Sequence, residues 1–353
     1  MEHDMMAIVK SRRESGYEYM SVPRPEPRAG DVLLKVHVAA ICGTDILLYK
    51  WDPLVHGLIG KLPFIPGHEC CGDVVATGAG VEGFPAGARV CAETHVPCGH
   101  CYQCTHGLQH ICKNLVLFGH HMDGCFAEFA VIPATALYRL KTDLPAPLAC
   151  LLEPFGVSLR GVQEVAPRGD ALLVTGCGPI GLFAIAIARQ AGVGKIIAAE
   201  PSPARLALAQ AMGADVLVDM RTADLRQAVL DATGGDGAGC ILECSGAAQV
   251  VNGSFKCLRK GGRIVLLGNP KGPVEVRDVM PDLMHKELTL KTVHGRRMYE
   301  TWEQAEALLA HGRIDIAPAV THTFPMHRFE EAFALILKGE ACKVEFTNDA
   351  KGV

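Results

Sequence analysis

Gly176, Gly178 and Gly181 form the run G-C-G-P-I-G directly after an apolar strand pattern, ALLVTG, and directly before a helix pattern that opens at Pro179. A strand, a glycine turn and a helix in that order let the backbone approach a pyrophosphate. They also restrict this part of the chain to parallel strands with helices on their faces. The same half keeps the alternation: KIIAAE leads to SPARLALAQAMG, followed by VLVD, CILECSG, RIVLLG and LTLKTV. This predicts an α/β fold with a doubly wound parallel sheet. Glu200 ends the next strand, 19 residues beyond Gly181, where a carboxylate accepts hydrogen bonds from ribose hydroxyls and repels a 2′-phosphate. The pattern therefore favours NAD over NADP. Arg205, five residues later, could hold a 2′-phosphate or lie against the adenine. The bland alternatives are a tight turn without ligand for the glycines and a solvated helix-capping carboxylate for Glu200.

At 353 residues, 49% of them apolar, the chain has material for two cores and is expected to form two domains. A net charge of −4 with dispersed basic residues argues against a nucleic-acid groove or an anionic membrane surface and favours small-molecule chemistry. MEHDMMAIVKSRR has no basic region followed by an apolar run, so the expected location is the cytoplasm. The apolar stretch Leu172 to Ala188 is divided by three glycines and Pro179 into strand, turn and helix, and does not read as a membrane span. Residues up to about 155 are rich in Gly and Pro with short β-type runs, which predicts an irregular all-β unit. The texture changes near Pro167, and after about His294 it relaxes into helix, turn and strand, a tail expected to return to the first domain.

Cys98, Cys101, Cys104 and Cys112 are spaced C-x2-C-x2-C-x7-C, and such dense soft ligands suit a tetrahedral zinc. Four thiolates leave no open position, so this site is expected to hold a loop and do no chemistry; disulfides or free thiols are the alternative. Of the chain's fifteen cysteines, most of those outside the lobe, such as Cys240, Cys244 and Cys257, read as small apolar fillers. His100, His106 and His110 exceed the lobe's ligand need and read as surface residues. Cys42 lies in ICGTD, His68 and Glu69 in IPGHE, and Glu153 in EPFG. Thiolate, imidazole and carboxylate are the ligand types of an open, catalytic zinc.

With CGTD, GHE, the four-cysteine lobe, EPFG and GCGPIG in that order, essentially the whole chain resembles the zinc-dependent medium-chain dehydrogenases. Within them it is most similar to the threonine dehydrogenases, through CGTDILLYKWD, ETHVPCGHC, GCFAEFAVIP, EPSPARLALA, HGRRMYETW and PAVTHTF. The resemblance implies a GroES-like catalytic domain over 1–157, completed by 296–353, and a Rossmann NAD-binding domain over 158–295. It implies a homotetramer with two zinc ions per subunit and a small-molecule alcohol as partner, with neither nucleic acid nor membrane. Cys42, His68 and Glu153 would hold the catalytic zinc, with Glu69 a fourth ligand or a neighbour exchanging with water. Thr44 would pass the hydroxyl proton outward and His95 would line the substrate pocket. Gly176, Gly178, Ile180, Gly181, Glu200, Arg205, Leu267, Gly268, Asn269, Val293 and His294 would line the NAD site. His120 and His121 precede Gly124 in a loop that could edge the substrate pocket.

One departure bears on substrate. Where the threonine enzymes carry a histidine two residues after the CGTD aspartate, this chain has Leu47, which cannot carry a proton. Water or another group, such as His56, would finish the relay, or the pocket serves a different alcohol. The expected activity is oxidation of L-threonine to 2-amino-3-oxobutanoate. The alternatives are a polyol, sugar or aminocyclitol dehydrogenase and, from another class, a non-catalytic dinucleotide-binding protein.

Overall fold

The computed structural model describes residues 4–167 and 169–348; the first three residues of the N-terminal reading lie outside them. Two compact units divide the chain. One runs to Glu153 and takes in Arg297–Ala310 and the segment from Val320; the other comprises Pro154–Arg296 with His311–Ala319.

The first unit is organised by the ten-residue strand Asp31–Ala40, whose apolar residues Val32, Leu34 and Val36 are fully buried. Strand Glu69–Thr77 pairs antiparallel with it, with Ala40 opposite Glu69. Phe129–Pro133 pairs with its first half and Lys343–Thr347 with its last residues, where Ala40 faces Glu345. Arg89–Ala92 and Leu137–Arg139 continue the sheet on one side, and Val320–Pro325 lies parallel to Lys343–Thr347 on the other. These pairings collect three remote segments at one end of the sheet. Cys42 follows Ala40 by two residues, His68 immediately precedes Glu69, and Lys343 and Glu345 lie two apart on one face of their strand. The turn into His68 depends on Gly67, whose φ is +91° and where a Cβ would fall 2.3 Å from the Phe126 ring. Only glycine meets both demands.

The second unit carries a six-stranded parallel sheet in the order Val216–Asp219, Lys195–Glu200, Ala171–Thr175, Ala238–Glu243, Leu258–Leu266, Thr289–Thr292. The chain moves outward in one direction for three strands and then returns across the first, so a crevice opens between Ala171–Thr175 and Ala238–Glu243 at the carboxyl ends. Central strands are buried along their length, as for Ala238–Glu243, because helices cover both faces. Helix Pro179–Gln190 starts directly after Gly178 with proline in its first turn, where a missing N–H costs nothing, and eight of its residues are buried. Among the described residues no helix is long and apolar enough to cross a membrane.

Candidate active site and metal centres

The four lobe cysteines form the loop of a small hairpin between His95–Val96 and Val116–Leu117. Their sulfurs approach one another at 3.5 Å (Cys101 to Cys104), 3.7 Å (Cys101 to Cys112) and 3.5 Å (Cys112 to Cys98). Bonds of about 2.3 Å to a tetrahedral zinc would place thiolates about 3.8 Å apart, so the cluster fits the ion. All cysteines are unbridged, which removes the disulfide alternative. The Cys98 and Asn114 N–H groups donate to Cys112 Sγ at 3.3 Å, and backbone donors, with that of His100 first, lower the Cys98 thiol to about 5. Of the histidines expected at the surface, His110 is instead buried, in the short turn Gln109–Ile111.

A second group lies at the sheet end of the same unit. Ligand atoms of Cys42, His68 and Glu69 all fall within 4.8 Å of one another. Cys42 precedes helix Gly43–Lys50, and its N–H donates to Asp45 Oδ2 at 2.8 Å. The other Asp45 oxygen has no hydrogen-bond partner and lies 3.9 Å from His68 Nδ1. A carboxylate behind a histidine orients the ring so that its other nitrogen faces the metal. Burial opposes charge on His68, but the Cys42 sulfur and the Asp45 carboxylate outweigh it and raise the ring to about 10. The donor set is thus electron-rich and suits a divalent cation.

Glu69 is held from behind. The buried Lys343 ammonium pairs with Glu69 Oε2 and donates to the Ile41 carbonyl at 3.0 Å. Burial alone would lower Lys343, yet Glu69 and Cys42 raise it, so it stays charged. Glu345, on the same strand face, is pushed up to about 7 by burial. Sequence reasoning missed Asp45, Lys343 and Glu345: the first carries a motif position with no role assigned, and the other two lie some three hundred residues from Cys42.

Glu153 is buried and its Oε1 accepts from Thr94 Oγ1 at 2.5 Å; it stands outside the three-residue group but acts electrostatically on His68 and Glu69. Thr44 Oγ1 is buried and has no hydrogen-bond partner. His95 is buried, and Glu93 Oε1 accepts from its Nδ1 at 2.7 Å; Glu93 Oε2 accepts from the indole of the fully buried Trp302 at 2.7 Å. Leu47 packs against the core of this unit. His56 lies against Trp51 with the ring centroids 4.7 Å apart and the planes tilted by 32°. His120 is buried with its ring 5.0 Å from that of His68, and burial lowers it to about 3.

In the second unit, the expected cofactor residues gather at the carboxyl ends of four strands. Gly176 to Gly181 follow Ala171–Thr175, and Glu200 ends Lys195–Glu200. Leu267, Gly268 and Asn269 follow Leu258–Leu266, and Val293 and His294 follow Thr289–Thr292. A Cβ at Gly181 would meet the Gly176 carbonyl at 1.9 Å, so the turn admits no side chain and leaves its backbone open to a phosphate. Glu200 is buried rather than solvated; its oxygens accept from the Cys177 and Ser202 N–H groups at 2.8 and 3.1 Å. Arg205 is half-buried, and its buried Nε has no hydrogen-bond partner. Ile180 and His294 offer their carbonyls to Ser158 and Arg160. The geometry provides a cradle for a dinucleotide in this unit and an electron-rich cation site in the other.

Residues 28–142 match the alcohol dehydrogenase GroES-like domain, and residues 179–311 match the zinc-binding dehydrogenase domain. An L-threonine 3-dehydrogenase of Bacillus licheniformis is 39% identical over 344 residues, covering 98% of this chain and 99% of its own. That of Pyrococcus furiosus is 38% identical over 347 residues, with 98% and 99% covered. Among solved structures, an alcohol dehydrogenase from E. coli CFT073 complexed with NADH superposes with a TM-score of 0.88 at 28% identity, covering 98% and 99%. A zinc-binding dehydrogenase from Sinorhizobium meliloti 1021 bound to NADP gives 0.87 at 28%, covering 98% and 99%. A 2R,3R-butanediol dehydrogenase from Bacillus subtilis gives 0.87 at 26%, covering 98% and 100%. The GroES-like unit, the parallel Rossmann sheet and both cation groups therefore place this chain in the zinc-binding medium-chain dehydrogenase family, as a zinc alcohol dehydrogenase resembling the L-threonine 3-dehydrogenases.

Proposed function

We propose that the protein oxidises L-threonine to 2-amino-3-oxobutanoate with NAD. The observation that carries this reading is the cluster of Cys42 with the buried His68 and Glu69, three different ligand types, and an orphaned Thr44 hydroxyl in the residues after Cys42. Three protein ligands leave a coordination position for substrate, unlike the four thiolates of the lobe. Zinc held by Cys42, His68 and Glu69 would supply Lewis-acid polarisation of the alcohol oxygen, and NAD held at the glycine turn would supply the hydride acceptor. The chain's own residues do the rest. Asp45 orients His68; Lys343 restrains Glu69, which with Glu153 can complete or neighbour the metal's shell. Thr44 Oγ1 accepts the substrate's hydroxyl proton and hands it outward, and His95, fixed through Glu93 and Trp302, lines the pocket. Glu200 holds the adenosine ribose and disfavours a 2′-phosphate, with Ile180, Arg205, Leu267 to Asn269, Val293 and His294 around the cofactor. The wider proposal is a cytoplasmic homotetramer holding one catalytic and one structural zinc per subunit.

A second reading, oxidation of a polyol, sugar or aminocyclitol, is favoured by Leu47, a partly buried apolar side chain packed against the core where a relay imidazole would stand. Initial rates of NAD⁺ and NADP⁺ reduction on zinc-replete protein, with L-threonine against L-serine, 2,3-butanediol, sorbitol and an inositol, test both. Preference for threonine with NAD⁺ is expected. Silence on threonine with turnover of a polyol would replace the first reading by the second.

A further inference from the structure

His120 sits in the loop after Val116–Leu117, is only 3% exposed, and contacts the ring of His68. Its Nδ1 faces the Phe118 carbonyl at 3.3 Å. A carbonyl oxygen offers only lone pairs, so Nδ1 carries the hydrogen and Nε2 is left as a lone-pair acceptor. That Nε2 is buried and has no hydrogen-bond partner. A buried acceptor without a donor is costly, and native structures supply one from protein, water or ligand. None of the neighbouring imidazoles hydrogen-bonds to it. His121 Nδ1 accepts from the Leu117 N–H at 2.9 Å, His95 Nδ1 donates to Glu93, and His68 belongs to the cation group.

We infer that His120 Nε2 is a specificity-determining acceptor, receiving a hydrogen bond from an N–H or O–H on the carbon next to the reacting carbinol. The site then selects 2-amino and 2-hydroxy alcohols over simple secondary alcohols. A neutral acceptor takes an ammonium or a hydroxyl and rejects a carboxylate, whose oxygens are acceptors too. L-threonine and vicinal diols share the required donor, and 2-butanol lacks it. This inference rests on the alcohol dehydrogenase reading of the same site and is indifferent to which of the two substrate classes is physiological.

The test uses zinc-replete full-length protein, His120→Leu and His120→Asn, with L-threonine, 2,3-butanediol and 2-butanol as probes. Removing the acceptor should lower kcat/KM for the better donor-bearing substrate, through KM, about tenfold more than for 2-butanol, the size of one buried hydrogen bond. Asparagine, which keeps an acceptor oxygen, should recover part of that discrimination. Calorimetric titration of the same probes into NADH-loaded protein reads the preference without turnover and should show the same order. Equal losses for all three probes, or no loss, would overturn the inference, as would a parent that binds 2-butanol as tightly as the other two. A parent that prefers butanediol over threonine would remove the threonine proposal while leaving this comparison to judge His120.

Discussion

The four-cysteine lobe draws its ligands from residues 98–112, whereas Cys42, His68 and Glu69 meet only because strand pairing brings two remote segments together at one sheet end. The lobe uses one ligand type, stabilised by nearby backbone N–H groups, and fills all four positions of a tetrahedron. The other group mixes sulfur, nitrogen and oxygen, offers three ligand atoms, and lies beside the buried Asp45, Lys343 and Glu345. A closed site needs only local geometry. An open one needs the surroundings to hold an incomplete shell in place, because nothing else keeps the ligands from collapsing onto each other or onto water.

That contrast is most directly broken at Cys42. Cys42→Ser should lower turnover by more than about 10³-fold, the loss expected when the Lewis acid goes. Zinc analysis should then find about one ion fewer per subunit, with NADH binding retained. Unchanged activity would mean that the three-residue group is not the chemical centre. Cys101→Ser tests the other side. It should cost on the order of 4 kcal/mol of stability through loss of the lobe's ion, read as a fall in melting temperature. A soluble variant as thermostable as the parent would leave the lobe without a structural role.

Asp45→Asn sharpens the comparison, since only the open site has a carboxylate behind its histidine. The open site should lose zinc affinity by about 10-fold to 100-fold, while chelator competition still shows the lobe's ion in place. Equal retention of both ions would show that Asp45 does not orient His68. The smallest effect is expected at Glu345. Its carboxyl is raised to about 7 by burial, so its contribution to stability is fully present below the unfolded value near 4.5 and is lost as pH rises through 7. Chemical denaturation of the parent and Glu345→Gln across that window should diverge by on the order of 2 kcal/mol in favour of the variant at the alkaline end. Parallel profiles would show that Glu345 is not held in an unfavourable environment.

Residue identity and short spacing were enough to single out the cysteine quartet, the glycine turn and Glu200 as candidates, because each depends on neighbours in the chain or at the end of an adjacent strand. Burial was not legible in the same way. His110 reads as a surface imidazole beside a metal loop, yet the turn Gln109–Ile111 folds it inward. The bland alternative for Glu200, a solvated cap, gives way to a carboxylate that the sheet buries against the Cys177 N–H. His120 read as a loop residue that could edge the substrate pocket; its contact with His68, 52 residues away in the chain, and its unpartnered buried nitrogen show only in the fold.

The amino-acid sequence by itself determined the ligand chemistry, the phosphate-binding turn and the α/β alternation, since these are properties of side-chain type and of contacts within one strand–turn–helix unit. Tertiary structure decided which charges surround the open metal group. The pairing of Ala40 with both Glu69 and Glu345 carries Lys343 to Glu69 and leaves a second carboxylate beside it. Strand register is set by packing across the whole sheet, and the low polarity that gives those charges their strength exists only once the chain around them has closed.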